Sequence, residues 1–182
     1  MVIPAVALKI LGGAVAIGAV VSSIAVPTAL SMNTAKEIVL KDFPRVEKDK
    51  FKDKCQLLTK DEDSGKRELD MRYLLVCDKV NDSGVEFYYF SSREVPKKVI
   101  SLEKNGNLGS SLTKVKVKTE ESGGMAFDLT STKGVWTNLI GKKLENCNIT
   151  KDVGEKKKWS VRCPREGTGD GKEIPLTPII IN

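Results

Sequence analysis

Two stretches of this chain begin and end with cysteine, and together they restrict its fold more than any other feature. CQLLTKDEDSGKRELDMRYLLVC runs from Cys55 to Cys77, and CNITKDVGEKKKWSVRC from Cys147 to Cys163. If Cys55 faces Cys77 across an antiparallel hairpin, the chain reverses beside Ser64-Gly65. Leu57 then opposes Leu75, and Thr59 opposes Tyr73. If Cys147 faces Cys163, the reversal falls beside Gly154, with Ile149 opposite Val161 and Lys151 opposite Trp159. In both cases a polar, glycine-containing turn stands where a hairpin needs one. Facing Cα atoms lie about 4.5–5.5 Å apart, within reach of a disulfide. Four cysteines allow three pairings, and the hairpin geometry selects Cys55–Cys77 with Cys147–Cys163.

The stretches are alike beyond their ends. The first carries L-T-K-D and the second I-T-K-D, and each has an aromatic residue four before its closing cysteine, Tyr73 and Trp159. The T-K-D is offset by one residue between them. A one-residue slip turns a strand's faces over, so a true repeat requires a β-bulge in one hairpin. Metal ligation is a poorer use of these cysteines, because the chain has no histidine and no C-x-x-C.

The N-terminal segment bears on compartment. Between Met1 and Met32 the only charged side chain is Lys9, and Ile10–Leu30 is apolar or small throughout. At about 1.5 Å per residue a helix of this length spans roughly 30 Å, the thickness of a bilayer core. The run is longer than a signal-peptide core, which favours a retained anchor over cleavage after Ser23-Ile24-Ala25. Lysine and arginine follow the run at Lys36, Lys41, Arg45, Lys48 and Lys50, and the positive-inside rule alone would place the domain in the cytoplasm. Two disulfides require an oxidising space, which places it outside. The expected layout is residues 1–32 as transmembrane anchor or signal segment, 33–50 as a helical, charged linker, and 51–182 as a strand-rich ectodomain. The fold class is a single N-terminal transmembrane helix followed by a mainly β (α+β) soluble domain. Disulfide-stapled hairpins and one amphipathic helix complete it.

Within the soluble part, Ala35–Phe43 reads as a short helix stopped by Pro44. Arg72–Val80 and Val85–Ser91 read as strands around an NDSG turn. VEFYYF sets Val85, Phe87 and Tyr89 against Glu86, Tyr88 and Phe90, so both of its faces are expected to be partly covered. Lys98–Leu102 is a strand followed by a turn-rich NGNLGSS. In Leu112–Thr119, Val115 and Val117 alternate strictly with Lys114, Lys116 and Lys118. MAFDLT puts Met125, Phe127 and Leu129 on one face. Val135–Asn146 shows helical spacing of Trp136, Leu139, Ile140 and Leu144, and Ile179–Ile181 reads as an edge strand after Pro175 and Pro178.

Catalytic signatures are absent from the sequence. Without histidine there is no Ser-His-Asp or Cys-His mechanism, and no phosphate-binding glycine loop occurs. Asp61-Glu62-Asp63 and Glu120-Glu121 read as solvated charge, and DEDSGKRE lacks the glycine and final glutamate of a calcium loop. The Lys114/Lys116/Lys118 ladder and Lys156-Lys157-Lys158 read first as a solvated face, with an anionic partner as the alternative. Asn81-Asp-Ser83 and Asn148-Ile-Thr150 fit the glycosylation sequon. The expectation is therefore a non-enzyme with no cofactor, no metal and no specific nucleic acid, held in the bilayer through residues 10–30. Two other functions remain open: a cytoplasm-facing, membrane-tethered basic domain that binds nucleic acid or other anionic partners, and a secreted disulfide-stabilised binding or inhibitor protein.

One resemblance adds to this reading. The short N-region with one lysine, the small-residue span KILGGAVAIGAV and the Lys/Glu-rich exterior are one part of it. Trp136, Leu144 and Cys147, which form a W…L…C segment ahead of a cysteine pair, are the other. This layout resembles the paralogous membrane-anchored surface proteins of haemotropic mycoplasmas. The resemblance implies a single-pass surface protein, host-contacting or antigenic, with no catalytic residue to carry over.

Overall fold

The structure, a computed structural model, describes residues 37–62, 71–79, 84–92, 94–108, 111–121, 126–152, 158–164 and 171–182. Strands dominate: β1 (Ile38–Leu40), β2 (Cys55–Lys60), β3 (Arg72–Asp78), β4 (Val85–Ser91), β5 (Lys97–Leu108), β6 (Leu112–Thr119) and β7 (Ala126–Thr132) come first. They are followed by β8 (Asn148–Lys151), β9 (Trp159–Arg162), β10 (Glu173–Pro175) and β11 (Ile179–Ile181). A one-turn helix, α1 (Lys48–Phe51), separates β1 from β2. Glu37–Asn182 form one compact unit. Among the described residues no helix is long and apolar enough to cross a membrane, and the apolar run Ile10–Leu30 lies outside them.

Strands β2 to β7 form a six-stranded antiparallel meander in sequence order. β5 hands the sheet over midway. Lys97 and Lys98 pair with β4, and from Val99 to Leu108 the strand pairs with β6, with register shifts that skip Ile100 and Asn105. The sheet thus bends at β5, and its two ends curl towards each other. β2 and β7 meet through the hydroxyls of Thr59 and Ser131, 2.5 Å apart, and through the Glu62 N–H donating to Thr130 O at 2.7 Å. The carboxylates of Asp61 and Glu62 accept the N–H groups of Thr130 and Thr132 at 3.3 and 3.0 Å. Asp61 is fully buried. The solvated-turn reading is therefore corrected for Asp61, while Glu62 is exposed; both satisfy backbone donors that an open edge of β7 would leave bare.

Alternation explains the two cores. Leu74 and Val76 on β3, Phe87 and Tyr89 on β4, Val115 and Val117 on β6 and Leu129 on β7 fill the inside of the bent sheet. Two short 3-10 turns, Val135–Leu139 and Leu144–Asn146, add Trp136, Leu139 and Leu144 to it. The opposite faces of β2–β4 carry Leu57, Leu75, Tyr88 and Phe90. They pack against Leu40, Phe43, Phe51 and Ile181 in a second core. β4 is thus covered on both sides, as its aromatic second face suggested. Each fully buried Leu, Val or Phe contributes roughly 1.5–3 kcal/mol of burial, so strands with two covered faces hold the centre of the molecule.

Three expectations are corrected here. The segment Ala35–Phe43 does not form a helix where it is described: Ile38–Leu40 is β1, which pairs in parallel with β11. Three branched or apolar residues in a row, with Leu40 fully buried, suit a strand better than a helix with no apolar stripe. The region Val135–Asn146 is not one amphipathic helix but two 3-10 turns interrupted at Gly141, which has φ +76°. Its apolar residues still point inward, since short turns place i and i+3 on one side as well. NGNLGSS is not all turn, because β5 runs through Leu108.

The cysteine hairpins match position by position. In the first, Cys55 pairs with Cys77, Leu57 with Leu75, Thr59 with Leu74 and Lys60 with Tyr73. In the second, Ile149 pairs with Val161, Thr150 with Ser160 and Lys151 with Trp159. The first hairpin shifts register between Leu57 and Thr59, which corrects the expected pairing of Thr59 with Tyr73. That bulge at Leu58 absorbs the one-residue offset of T-K-D. The next backbone bond is also shared: Asp61 N–H donates to Arg72 O at 2.8 Å, and Asp152 N–H to Lys158 O at 2.9 Å. A third strand then adds at one constant sequence offset, with Val76, Leu75 and Leu74 paired to Phe87, Tyr88 and Tyr89. Its counterpart pairs Arg162, Val161 and Ser160 with Glu173, Ile174 and Pro175. The chain therefore contains the same three-stranded module twice. The turn tips at 64–65 and 154 lie outside the described residues.

Candidate functional site

Both bridges form as the hairpin register requires. Cys55–Cys77 and Cys147–Cys163 are disulfides with Cα–Cα distances of 4.0 Å, and no cysteine is free. Cys55 and Cys77 lie in the second core, and Cys147 and Cys163 in the main one. All four are buried. Such bridges are shielded from solvent and act as staples rather than as exposed reactive groups.

One surface cleft follows from the bend at β5. Where β4 and β5 part, a cleft of about 420 Å³ opens, lined by Lys79, Glu86, Lys98, Ile100, Glu120 and Lys143 among others. Lys98 Nζ lies 3.4 Å from Glu86 and 3.5 Å from Glu120. Tyr88 donates its hydroxyl to Glu86 Oε2 at 2.8 Å. Period-two spacing puts Glu86 and Tyr88 on one face of β4, and the register Tyr88↔Lys98 brings the ammonium to them. Burial works to raise the Glu86 carboxyl, but the hydrogen bonds from Tyr88 and Lys98 outweigh it and hold it below the usual glutamate range. Burial, then the Glu86 carboxylate, push the Tyr88 phenol well above its ordinary value. Burial pushes Tyr89 up to about 12. The lowered Glu86 carboxyl therefore favours its ionised form beside the Lys98 side chain. The cluster can attract charged groups, but it sets no base against a nucleophile.

These shifts fix a pH response. A phenol whose folded pKa lies above its unfolded value contributes stability that is complete below about pH 10 and is lost as pH rises through the folded pKa. Absorbance titration at 295 nm will find Tyr88 and Tyr89 still protonated at pH 11, where a free phenol has ionised. Denaturation at that pH will release both at once. Ionisation of all three tyrosines near pH 10 in folded protein would contradict the described burial.

Two members of the lysine ladder are paired on the surface of the sheet. Lys114 lies 3.0 Å from Asp128, and Lys118 lies 2.5 Å from Glu103. Hydrogen bonding by Lys114, partly offset by burial and supported by Asn105, holds the Asp128 carboxyl below its ordinary range. Exposed pairs of this kind add at most about 1 kcal/mol each. Lys156 and Lys157, Asn81–Ser83 and Asp63 lie outside the described residues. Asn148 is exposed on β8. Among the described residues no cluster of three or more histidine, cysteine or acidic side chains could hold a metal ion.

Reasoning from the sequence missed the Glu86–Lys98–Glu120 cluster. Its signal is weak: alternation gives Glu86 and Tyr88 one face, but only the β4–β5 register delivers Lys98. No family model, no curated protein and no solved structure matches this chain.

Proposed function

We propose that this protein is a non-enzymatic, membrane-anchored surface protein. Residues 10–30 span the bilayer, and the β domain stands outside the cell, where it contacts host or neighbouring surfaces. The observation that carries this reading is the oxidised state of all four cysteines, as two buried cross-strand bridges. Bridges of this kind belong to secreted and extracellular domains, because cytosolic thiol buffers keep cysteines reduced. The pairing of Lys114 and Lys118 with acids weighs against the cytoplasmic, anion-binding alternative. The reading agrees with what the resemblance to haemotropic-mycoplasma surface proteins implies. Protease treatment of intact cells should remove the domain while cytoplasmic markers survive. Full protection of the domain on sealed cells, with cleavage only after lysis, would place it inside and overturn the proposal. Recovery of a mature chain beginning after Ala25 would convert the anchored protein into a secreted one.

A further inference from the structure

The two-stranded sheet of β1 and β11 is unusual in what it shows to solvent. Its register sets Val39 beside Ile180. Alternation turns Leu40 and Ile181 inward to the second core, with Ile38 and Ile179 packed against it. Val39 and Ile180 are left on the outer face, each 39% exposed. Outward positions on the larger sheet are used differently: Lys114, Lys116 and Lys118 occupy them on β6. Past β1 the chain turns through Pro44–Glu47, closed by Glu47 N–H on Pro44 O at 3.1 Å. Val46 projects from this turn at 95% exposure. Among the described residues, three of the five exposed large hydrophobics thus fall on β1, its partner strand and the turn that follows.

Two further facts select what covers them. The compact unit begins at Glu37, immediately before β1, and the apolar run ends at Leu30. At full extension that interval spans at most roughly 25 Å. From Lys41 to Lys54 the sequence carries six basic side chains against four acidic ones, and Arg45 and Lys48 flank the Val46 turn. Aliphatic side chains ringed by an excess of lysine and arginine suit the interface of an anionic bilayer, where each basic group is drawn to the negative headgroups. A second copy of the chain is a poorer occupant, since a stable protein interface buries about 800 Å² per partner. A tethered bilayer contact needs no such area, because the tether supplies the local concentration.

We propose that the outer face of the β1–β11 sheet, with the Val46 turn, is a membrane-docking surface. Val39, Val46 and Ile180 enter the headgroup layer, and Arg45 and Lys48 meet lipid phosphates. This rests on the reading that residues 10–30 are anchored in the bilayer.

The test uses the full chain, isotope-labelled, in nanodiscs of equal parts phosphatidylcholine and phosphatidylglycerol with a gadolinium-headgroup lipid. The backbone amides of Val39, Val46 and Ile180 should lose most of their signal to the paramagnetic lipid, while those of Val115 and Leu129 keep theirs. The double substitution Val39→Lys, Ile180→Lys should restore the lost signal and leave the protein resistant to carbonate extraction from membranes. Uniform broadening, or broadening centred on β6, in protein that resists carbonate would overturn docking and leave the anchor standing. Extraction of the wild-type chain by carbonate would overturn the anchor, and docking with it. If the double substitution turns a dimer into a monomer with no lipid broadening in either form, the face belongs to a second copy and the proposal fails.

Discussion

Replacing both members of one cysteine pair by alanine will lower the melting temperature by roughly 6–12 °C, and replacing all four will roughly double that drop. The bridges close loops with sequence separations of 22 and 16 residues. In the chain-entropy model each loop stabilises the folded state by about 3 kcal/mol. A domain of this size moves about 2–4 °C in melting temperature per kcal/mol. Alanine is the right replacement because all four positions are buried, and a serine hydroxyl there would add its own desolvation cost. The two pairs should act independently, since Cys55–Cys77 sits in one core and Cys147–Cys163 in the other. Calorimetry of the two double variants and the quadruple variant measures this directly. An unchanged melting temperature on full reduction would show that the hairpins are held by packing alone. Four alkylatable thiols in protein taken from its own cells would refute the bridges and the extracellular reading together.

The hairpin register was legible in the sequence because it depends on few quantities: two cysteines, a turn near the midpoint and period-two faces. The second hairpin pairs as that arithmetic requires. The first departs at Leu58, since a bulge leaves no mark of its own in one sequence and showed here only as the misplaced T-K-D. The repeat was only half visible for a physical reason. In both modules the cysteine face lies on a core, so Leu57, Leu75 and Tyr73 have apolar counterparts in Ile149, Val161 and Trp159. The opposite faces have different surroundings. Leu74 and Val76 are buried inside the bent sheet, whereas Ser160 and Arg162 are partly or fully open to water. The two faces meet different burial demands, so the likeness in residue type is confined to the cysteine face.

What the sequence could not supply was long-range. β1 pairs with β11 from the far end of the chain, and three residues of β propensity had no local partner to mark them as a strand. Asp61 and Glu62 looked like turn charge because their acceptors' targets, the N–H groups of Thr130 and Thr132, are some seventy residues away. The Lys98 cluster depends in the same way on where β5 leaves β4. Local pattern gives faces and turns, while closure and clefts depend on register between distant strands.

Phe90→Ala is expected to destabilise the whole domain by about 3–5 kcal/mol, the range for removing a large buried ring. Phe90 is fully buried. Its ring centroid lies 4.7 Å from that of Phe43 and 5.9 Å from that of Tyr73, so truncation leaves a hole bordered by two aromatic rings. The informative question is how far the damage spreads. If β1, α1 and β11 were a lid that opens by itself, only their amides would lose hydrogen-exchange protection, and the melting temperature would hold. β4 argues against that. Its residues Phe87 and Tyr89 fill the main core while Tyr88 and Phe90 fill the second, and it is paired along its length to β3. A cavity on one side of such a strand is felt on the other, because neither face can relax without disturbing a packed layer. Exchange at Leu74 and Val117 should therefore accelerate by the same free energy that the thermal transition loses. Phe90→Leu, which keeps most of the volume, should cost under about 1.5 kcal/mol. Loss of protection confined to residues 38–51 and 179–181, with an unchanged melting temperature, would show that the two cores fold as separate units.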